Sequence, residues 1–182
     1  MAYDREKHHR RSIRLKDYDY GQSGAYFVTV VTHDRACLFG DVADGKMQLN
    51  NVGQIAKAAW DELPAKFPLV RLDAFIVMPN HVHGIIMVGA QFIAPKINEG
   101  VINHAPTLGE MVRAYKARST RLIRQAGTPN FAWQRNYCEH VVRNEKSPNR
   151  IRQYIVDNPT HWTIDRENPA ATTFEPEDAW RV

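Results

Sequence analysis

The chain has 182 residues, 43% of them hydrophobic and 24% charged, which suffices for a real core and excludes wholesale disorder. No apolar run approaches a membrane span and the first residues are polar rather than signal-like, so a soluble cytoplasmic protein with no membrane partner is expected. A net charge of +4 permits a nucleic-acid partner without requiring one, and two isolated cysteines, Cys37 and Cys138, exclude zinc-ribbon spacing and a disulfide framework. Any metal must therefore use nitrogen and oxygen ligands.

Residues 1–20 read as a basic arm, with Lys7, Arg10, Arg11, Arg14 and Lys16 and no acid between Lys7 and Lys16. Ala25 to Thr32 (AYFVTVVT) is β-branched and aromatic and reads as a strand. Asp44-Gly45 marks a turn or hairpin within Asp41 to Leu49. From Asn51 to Phe67, Val52, Ile55, Ala56, Ala59, Trp60 and Leu63 recur at helical spacing, with Pro64 and Pro68 bracketing the end. Val70 to Val77 and Val82 to Val88 read as two strands around Met78-Pro79-Asn80. Residues 89–106 hold glycines and prolines without a period and read as a long connection.

Thr107 and Glu110 have capping-box spacing, opening a helix to about Arg124. It carries Arg113, Lys116, Arg118, Arg121 and Arg124 and no acid between Arg113 and Arg124. Ordinary solvated helices mix signs to gain i,i+4 pairs, so a one-sign run leans towards phosphate binding. Trp133 to Val142 resembles a strand. Ser147-Pro148 starts a further helix and Asn158-Pro159 ends it. The order is β-α-β-β-α-β-α. The economical solution is an α+β fold, a ferredoxin-like antiparallel sheet (β-α-β-β-α-β) with an added C-terminal helix. A single domain is expected over 21–160, with a polar tail over 161–182.

His81-Val82-His83 is the most informative tripeptide. Alternate residues of a strand share a face, so both imidazoles project together while Val82 enters the core. Two imidazoles can bind a divalent metal if a third ligand is near. An HxH pair alone is more often structural than catalytic. Here it begins just after a tight turn, between apolar strands. An amidohydrolase barrel would need more chain and parallel β/α alternation, and an HxH oxygenase a carboxylate soon after the pair, which Gly84 to Val88 lacks. In the last helix Ile151, Tyr154, Ile155 and Asn158 share one face. Periodicity leaves two readings open: a half-buried core tyrosine with a helix-stopping asparagine, or a hydroxyl nucleophile with an oxygen ligand one turn on.

These motifs together resemble the HUH single-tyrosine transposases (insertion-sequence 200/605-like), and within them the REP-associated tyrosine transposase branch. The stretches that carry the resemblance are AYFVTVVTHDRACLFG (25–40), FIVMPNHVHGIIMV (75–88), LGEMVRAYKARSTRLIR (108–124), WQRNYCEHVVRNE (133–145) and IRQYIVDNP (151–159). They span most of the chain, and MPNHVHG with QYIVDNP is the specific part. The resemblance implies that His81 and His83 hold a divalent metal, Mg²⁺ or Mn²⁺, with Asn158 in the place of a third ligand. Tyr154 is then the catalytic nucleophile and the last helix the catalytic helix. It implies a nucleoid-associated nuclease and strand transferase that forms a 5′-phosphotyrosine on single-stranded or hairpin repeat DNA. The family includes monomers and homodimers, so either state is compatible.

On that reading Arg10, Arg11, Arg14, Arg113, Lys116, Arg118 and Arg121 are candidates for DNA phosphates. Trp133 is a candidate for stacking on a base, with a core role as its alternative. A non-catalytic single-stranded nucleic-acid-binding module derived from such a transposase, a related HUH nuclease and a plain metal-dependent hydrolase are the rival readings. The HxH pair on a central strand, in place of exposed aromatics, favours chemistry over the binding module.

Overall fold

The computed structural model describes residues 24–89, 106–142, 147–174 and 176. Strand β1 (Gly24–Val31) is followed by a turn at His33–Arg35 and a small hairpin, β2 (Gly40–Ala43) and β3 (Lys46–Leu49). Helices α1 (Asn51–Asp61) and α2 (Leu63–Lys66) lead to β4 (Val70–Val77) and β5 (His81–Val88). Helix α3 (Leu108–Gln125), β6 (Cys138–Val142) and α4 (Ser147–Asp157) follow, and a 3₁₀ segment, Asn158–Ile164, continues directly from α4.

The main sheet has the order β4-β5-β1-β6, every neighbour antiparallel. Leaving out the hairpin, this is the ferredoxin-like arrangement, with α4 added. Alternation divides its two faces. Tyr26, Val28 and Val30 of β1, Val82, Ile86 and Val88 of β5 and Val141 of β6 point to a large core completed by Trp60 of α1 and Met111, Val112, Tyr115 and Ile123 of α3. Phe27 and Ile85 point the other way, where Ile151 and Ile155 of α4 close a smaller core.

Local chemistry fixes the ends. The Asn50 side chain accepts the Gly53 amide at 3.0 Å and starts α1. Thr107 and Glu110 form the expected capping box of α3. The helix expected over 51–67 breaks at Glu62, because Pro64 has no amide hydrogen to continue it. The strand expected from Trp133 is shorter and begins at Cys138, with Trp133 making only an isolated bridge to Thr32. Among the described residues no helix is long and apolar enough to cross a membrane.

Gly84 is a tight point of the large core. A Cβ there would lie 2.4 Å from a ring carbon of Trp60 and 2.9 Å from Phe75, two rings stacked with centroids 4.5 Å apart. The strand beside the HxH pair therefore accepts no side chain larger than hydrogen without displacing that stack. Gly84→Ala is expected to destabilise the fold by about 1–3 kcal/mol, the usual cost of overpacking, in a urea or thermal unfolding comparison.

Candidate metal centre and nucleophile

The register of β1 against β5 pairs Val31 with His81 and Thr29 with His83, and the alternation of β5 puts both imidazoles on the α4 face. Both are buried, at 0% and 4% exposure. Their Nε2 atoms face each other at 3.0 Å.

The outer nitrogens are also engaged. Asn80 Nδ2 donates to two carbonyls, Arg35 O and Glu167 O, which fixes the amide so that its Oδ1 faces His81 Nδ1 at 2.9 Å. An amide oxygen only accepts, so His81 carries its proton on Nδ1 and presents a lone pair at Nε2. His83 Nδ1 lies 2.8 Å from Thr29 Oγ1, a hydroxyl that both donates and accepts. Two states satisfy this network. Either His83 donates from Nε2 to His81 while Thr29 donates to Nδ1, or His83 is protonated on Nδ1, Thr29 accepts, and both Nε2 lone pairs face a cation. Thr29 serves both states by rotating one hydrogen.

Asp165 supplies the third group. Its Oδ1 accepts the Glu167 amide at 2.6 Å, while Oδ2 is buried without a hydrogen-bond partner, 3.7 Å from His81 Nε2. One ligand atom from each of His81, His83 and Asp165 falls within 4.8 Å of the others. Metal–ligand bonds of about 2.1 Å place two ligands about 3 Å apart at a right angle and about 4.2 Å apart when opposed. The separations of 3.0 and 3.7 Å within this cluster fall in that interval. Two imidazoles and a carboxylate fit a divalent cation by geometry and by donor type.

Electrostatics agree. Burial pushes His81 down to about 3, with Asn158 opposing it, and holds His83 well below the usual range, helped by the neighbouring His81 and opposed by Asp165. Burial raises Asp165. Neutral imidazole is the ligating form.

Tyr154 comes to the same place from α4. Its ring packs edge-on against Phe27 with centroids 6.1 Å apart and lies 5.5 Å from the His83 ring. Asn158, expected as the third ligand, is buried and close enough to His81 to oppose the lowering of its pKa, although neither amide atom makes a hydrogen bond of good geometry. The carboxylate among the atoms that converge with the two imidazoles is Asp165. Residues 161–182 are expected as a polar tail, with no function carried to it from Thr163 on. Within it Trp162 lies 6.1 Å from the His81 ring, and Asp165 and Glu167 lie to one side of the histidine pair. No short motif announces Asp165, whose only sequence signal is an acid beside Trp162 and Ile164.

The basic candidates divide. Lys116 Nζ donates to the carbonyls of Gln134 at 2.8 Å and Asn136 at 2.7 Å, and burial lowers it to about 8. Arg118 forms a fork with Glu62 at 2.7 and 3.1 Å. Both are committed to protein partners. Arg113 and Arg121 are exposed and line an open groove with Arg124 and Arg135. Trp133 borders this groove but is only 8% exposed, with its indole donating to Ser119 Oγ at 3.0 Å and its rings packed on Phe39 and Phe131. That is a core position, and a buried face offers no platform for a base. Arg10, Arg11 and Arg14 lie outside the described residues.

Comparison with known proteins puts this geometry in context. No family model matches the chain. A Haemophilus influenzae protein described as uncharacterised is 42% identical over 173 residues, covering 90% of this chain and 96% of that one. A second Haemophilus influenzae protein, named as a REP-associated tyrosine transposase, is 22% identical over 147 residues, covering 78% of this chain and 73% of its own. The solved structure of a REP-associated tyrosine transposase bound to a REP hairpin superposes with a TM-score of 0.54 at 22% identity, over 81% of this chain and 73% of that one. The chain belongs to one family with the first Haemophilus protein, and it shares the fold of the REP-associated tyrosine transposase structure.

Proposed function

We propose that the protein is a metal-dependent single-strand DNA endonuclease and strand transferase that works through a 5′-phosphotyrosine on hairpin-forming repeat DNA. The observation that carries this reading is the convergence of the His81 and His83 Nε2 atoms, 3.0 Å apart, beside the Tyr154 ring. The hairpin is taken from the relative whose structure contains a REP hairpin.

His81, His83 and Asp165 would hold the cation, with Asn158 bordering it. Bound there, Mg²⁺ or Mn²⁺ supplies positive charge to the scissile phosphate. Tyr154 Oη attacks phosphorus in line. The Oη–P bond forms as the bond to the departing 3′-oxygen breaks, and the phenol's proton is balanced by one gained at the 3′-hydroxyl. The phosphotyrosine keeps the energy of the phosphodiester, so a 3′-hydroxyl can reverse the reaction without ATP. Arg113 and Arg121 bind phosphates along the groove on the opposite side of the sheet from α4. The protein acts in the cytoplasm, at the nucleoid. All of these groups come from one chain, so the chemistry suits a monomer as well as a dimer.

The decisive assay is a denaturing gel of the protein with labelled single-stranded hairpin oligonucleotides from its own genomic flanks, with Mn²⁺ or EDTA. A covalent adduct is expected with Mn²⁺ and is lost with EDTA and in Tyr154→Phe. Cleavage that persists unchanged in Tyr154→Phe sinks the covalent mechanism, and tight binding without cleavage favours a non-catalytic module. Replacing Arg113 and Arg121 by Ala is expected to weaken single-strand binding. It should also flatten the dependence of log K on log salt by about 0.7 for each phosphate that is no longer neutralised. An unchanged slope removes these arginines from the interface.

The buried histidines also predict the acid behaviour of the metal-free protein. Their folded values lie below the unfolded value of about 6.5, so the unfolded chain binds more protons below that pH. Stability is present above about pH 6.5 and is lost as the pH falls towards 3, partly offset where raised Asp165 takes up its proton. Urea midpoints between pH 7 and 4 test this, and His81→Gln with His83→Gln should flatten the profile.

A further inference from the structure

Asn80 ends the turn between β4 and β5 and is fully buried. Both polar atoms of its side chain are used. Oδ1 accepts from His81 Nδ1 at 2.9 Å, and Nδ2 donates to Arg35 O at 2.9 Å and to Glu167 O at 2.6 Å. The two carbonyls come from segments far apart in the chain. Arg35 is held in a left-handed conformation, φ 54°, and its guanidinium pairs with the Glu167 carboxylate at 2.8 Å. The Glu167 amide in turn holds Asp165 Oδ1, which leaves Oδ2 on the side of His81. One side chain therefore touches a nitrogen ligand's ring on one side and the segment bearing the carboxylate on the other.

We propose that Asn80 is a positioning residue for the metal centre, one that sets the protonated nitrogen of His81 and the placement of Asp165 together. The inference rests on the metal reading of the site. It follows that cation binding and the ordering of Asp165–Asn168 are one coupled equilibrium, because the same amide serves both. No other side chain of this size does both tasks. Aspartate keeps the acceptor for His81 but turns an oxygen towards two carbonyls, and alanine removes both functions.

The test measures Mn²⁺ affinity by electron paramagnetic resonance of free Mn²⁺, alongside amide hydrogen exchange of Asp165–Asn168, on the full chain. Asp165→Asn and Asn80→Ala are each expected to weaken Mn²⁺ binding about 10–100-fold. The double variant should fall short of the product of the two losses, because Asn80 acts partly through Asp165. Asn80→Asp should speed exchange at Glu167 and Asn168 and lose less affinity than Asn80→Ala. It is nearly isosteric, so it keeps the proposal testable should the alanine variant fail to fold. Mn²⁺ affinity within about twofold of the unaltered chain in the Asn80 variants overturns the role of Asn80, as do losses that multiply in full. An unaltered chain that binds no Mn²⁺ overturns the metal reading itself.

Discussion

Two imidazole nitrogens held 3.0 Å apart beneath the protein surface set the terms for the rest of the molecule. In solution each lone pair would face water; here each must be met by a proton or a cation, since an unmet buried acceptor costs about 1–3 kcal/mol. The sheet enforces the approach. A two-residue period puts both rings on one side of β5, and pairing with β1 brings Thr29 behind one of them. The turn at 78–80 brings Asn80 behind the other. Neither ring can rotate away without breaking the bond at its back, so the front of the pair stays aimed at one point.

The two faces of the sheet divide the labour that this imposes. The side against α1 and α3 holds the large aromatics, with Trp60 stacked on Phe75 and Tyr115, Trp133, Phe131 and Phe39 in mutual contact. Among the described residues, the side under α4 has a core of only four buried apolar side chains. Both sides keep buried polar atoms without hydrogen-bond partners, Trp60 Nε1 and Tyr115 Oη in the large core and both amide atoms of Asn158 and Asp165 Oδ2 under α4. Groups of that kind lower stability, and they persist where burial elsewhere is enough to hold the fold. Under α4, Asp165 Oδ2 lies 3.7 Å from His81 Nε2, on the side that the two imidazoles face.

Much of this was legible in the chain. The alternation of His81, Val82 and His83 foretold that both rings share one side of β5 while Val82 enters the core on the other, and Thr107 with Glu110 foretold the start of α3. What escaped has a physical reason in each case. Charge runs say nothing of partners, so Lys116, spent on the carbonyls of Gln134 and Asn136, and Arg118, spent on Glu62, looked the same as Arg113. Trp133 lies in an irregular segment with no period, and only the tertiary neighbours show that its indole is core. Asp165 follows a helix whose end was read from Asn158-Pro159. The chain instead tightens into 3₁₀ turns and folds back over His81, a long-range event with no local signature.

The placement of Tyr154 depends on a defect in the sheet. The register of β4 against β5 shifts between Leu72 and Phe75, and the bulge carries Asp73. Asp73 takes the guanidinium of Arg152 in a fork of 2.5–3.0 Å, and Arg152 in turn reaches Asn149. The Arg152 fork, more than any other cause, holds the Asp73 carboxyl below the usual range. A helix resting only on Ile151 and Ile155 could slide along an apolar surface, since burial has no direction. A planar fork to a fixed carboxylate does have one. It pins α4 along its axis two residues before Tyr154, and a shift of one helical residue would carry the ring about 1.5 Å along and about 100° round, away from His83. The tyrosine stays beside the histidines because an edge strand is irregular at the one point where the helix needs an anchor.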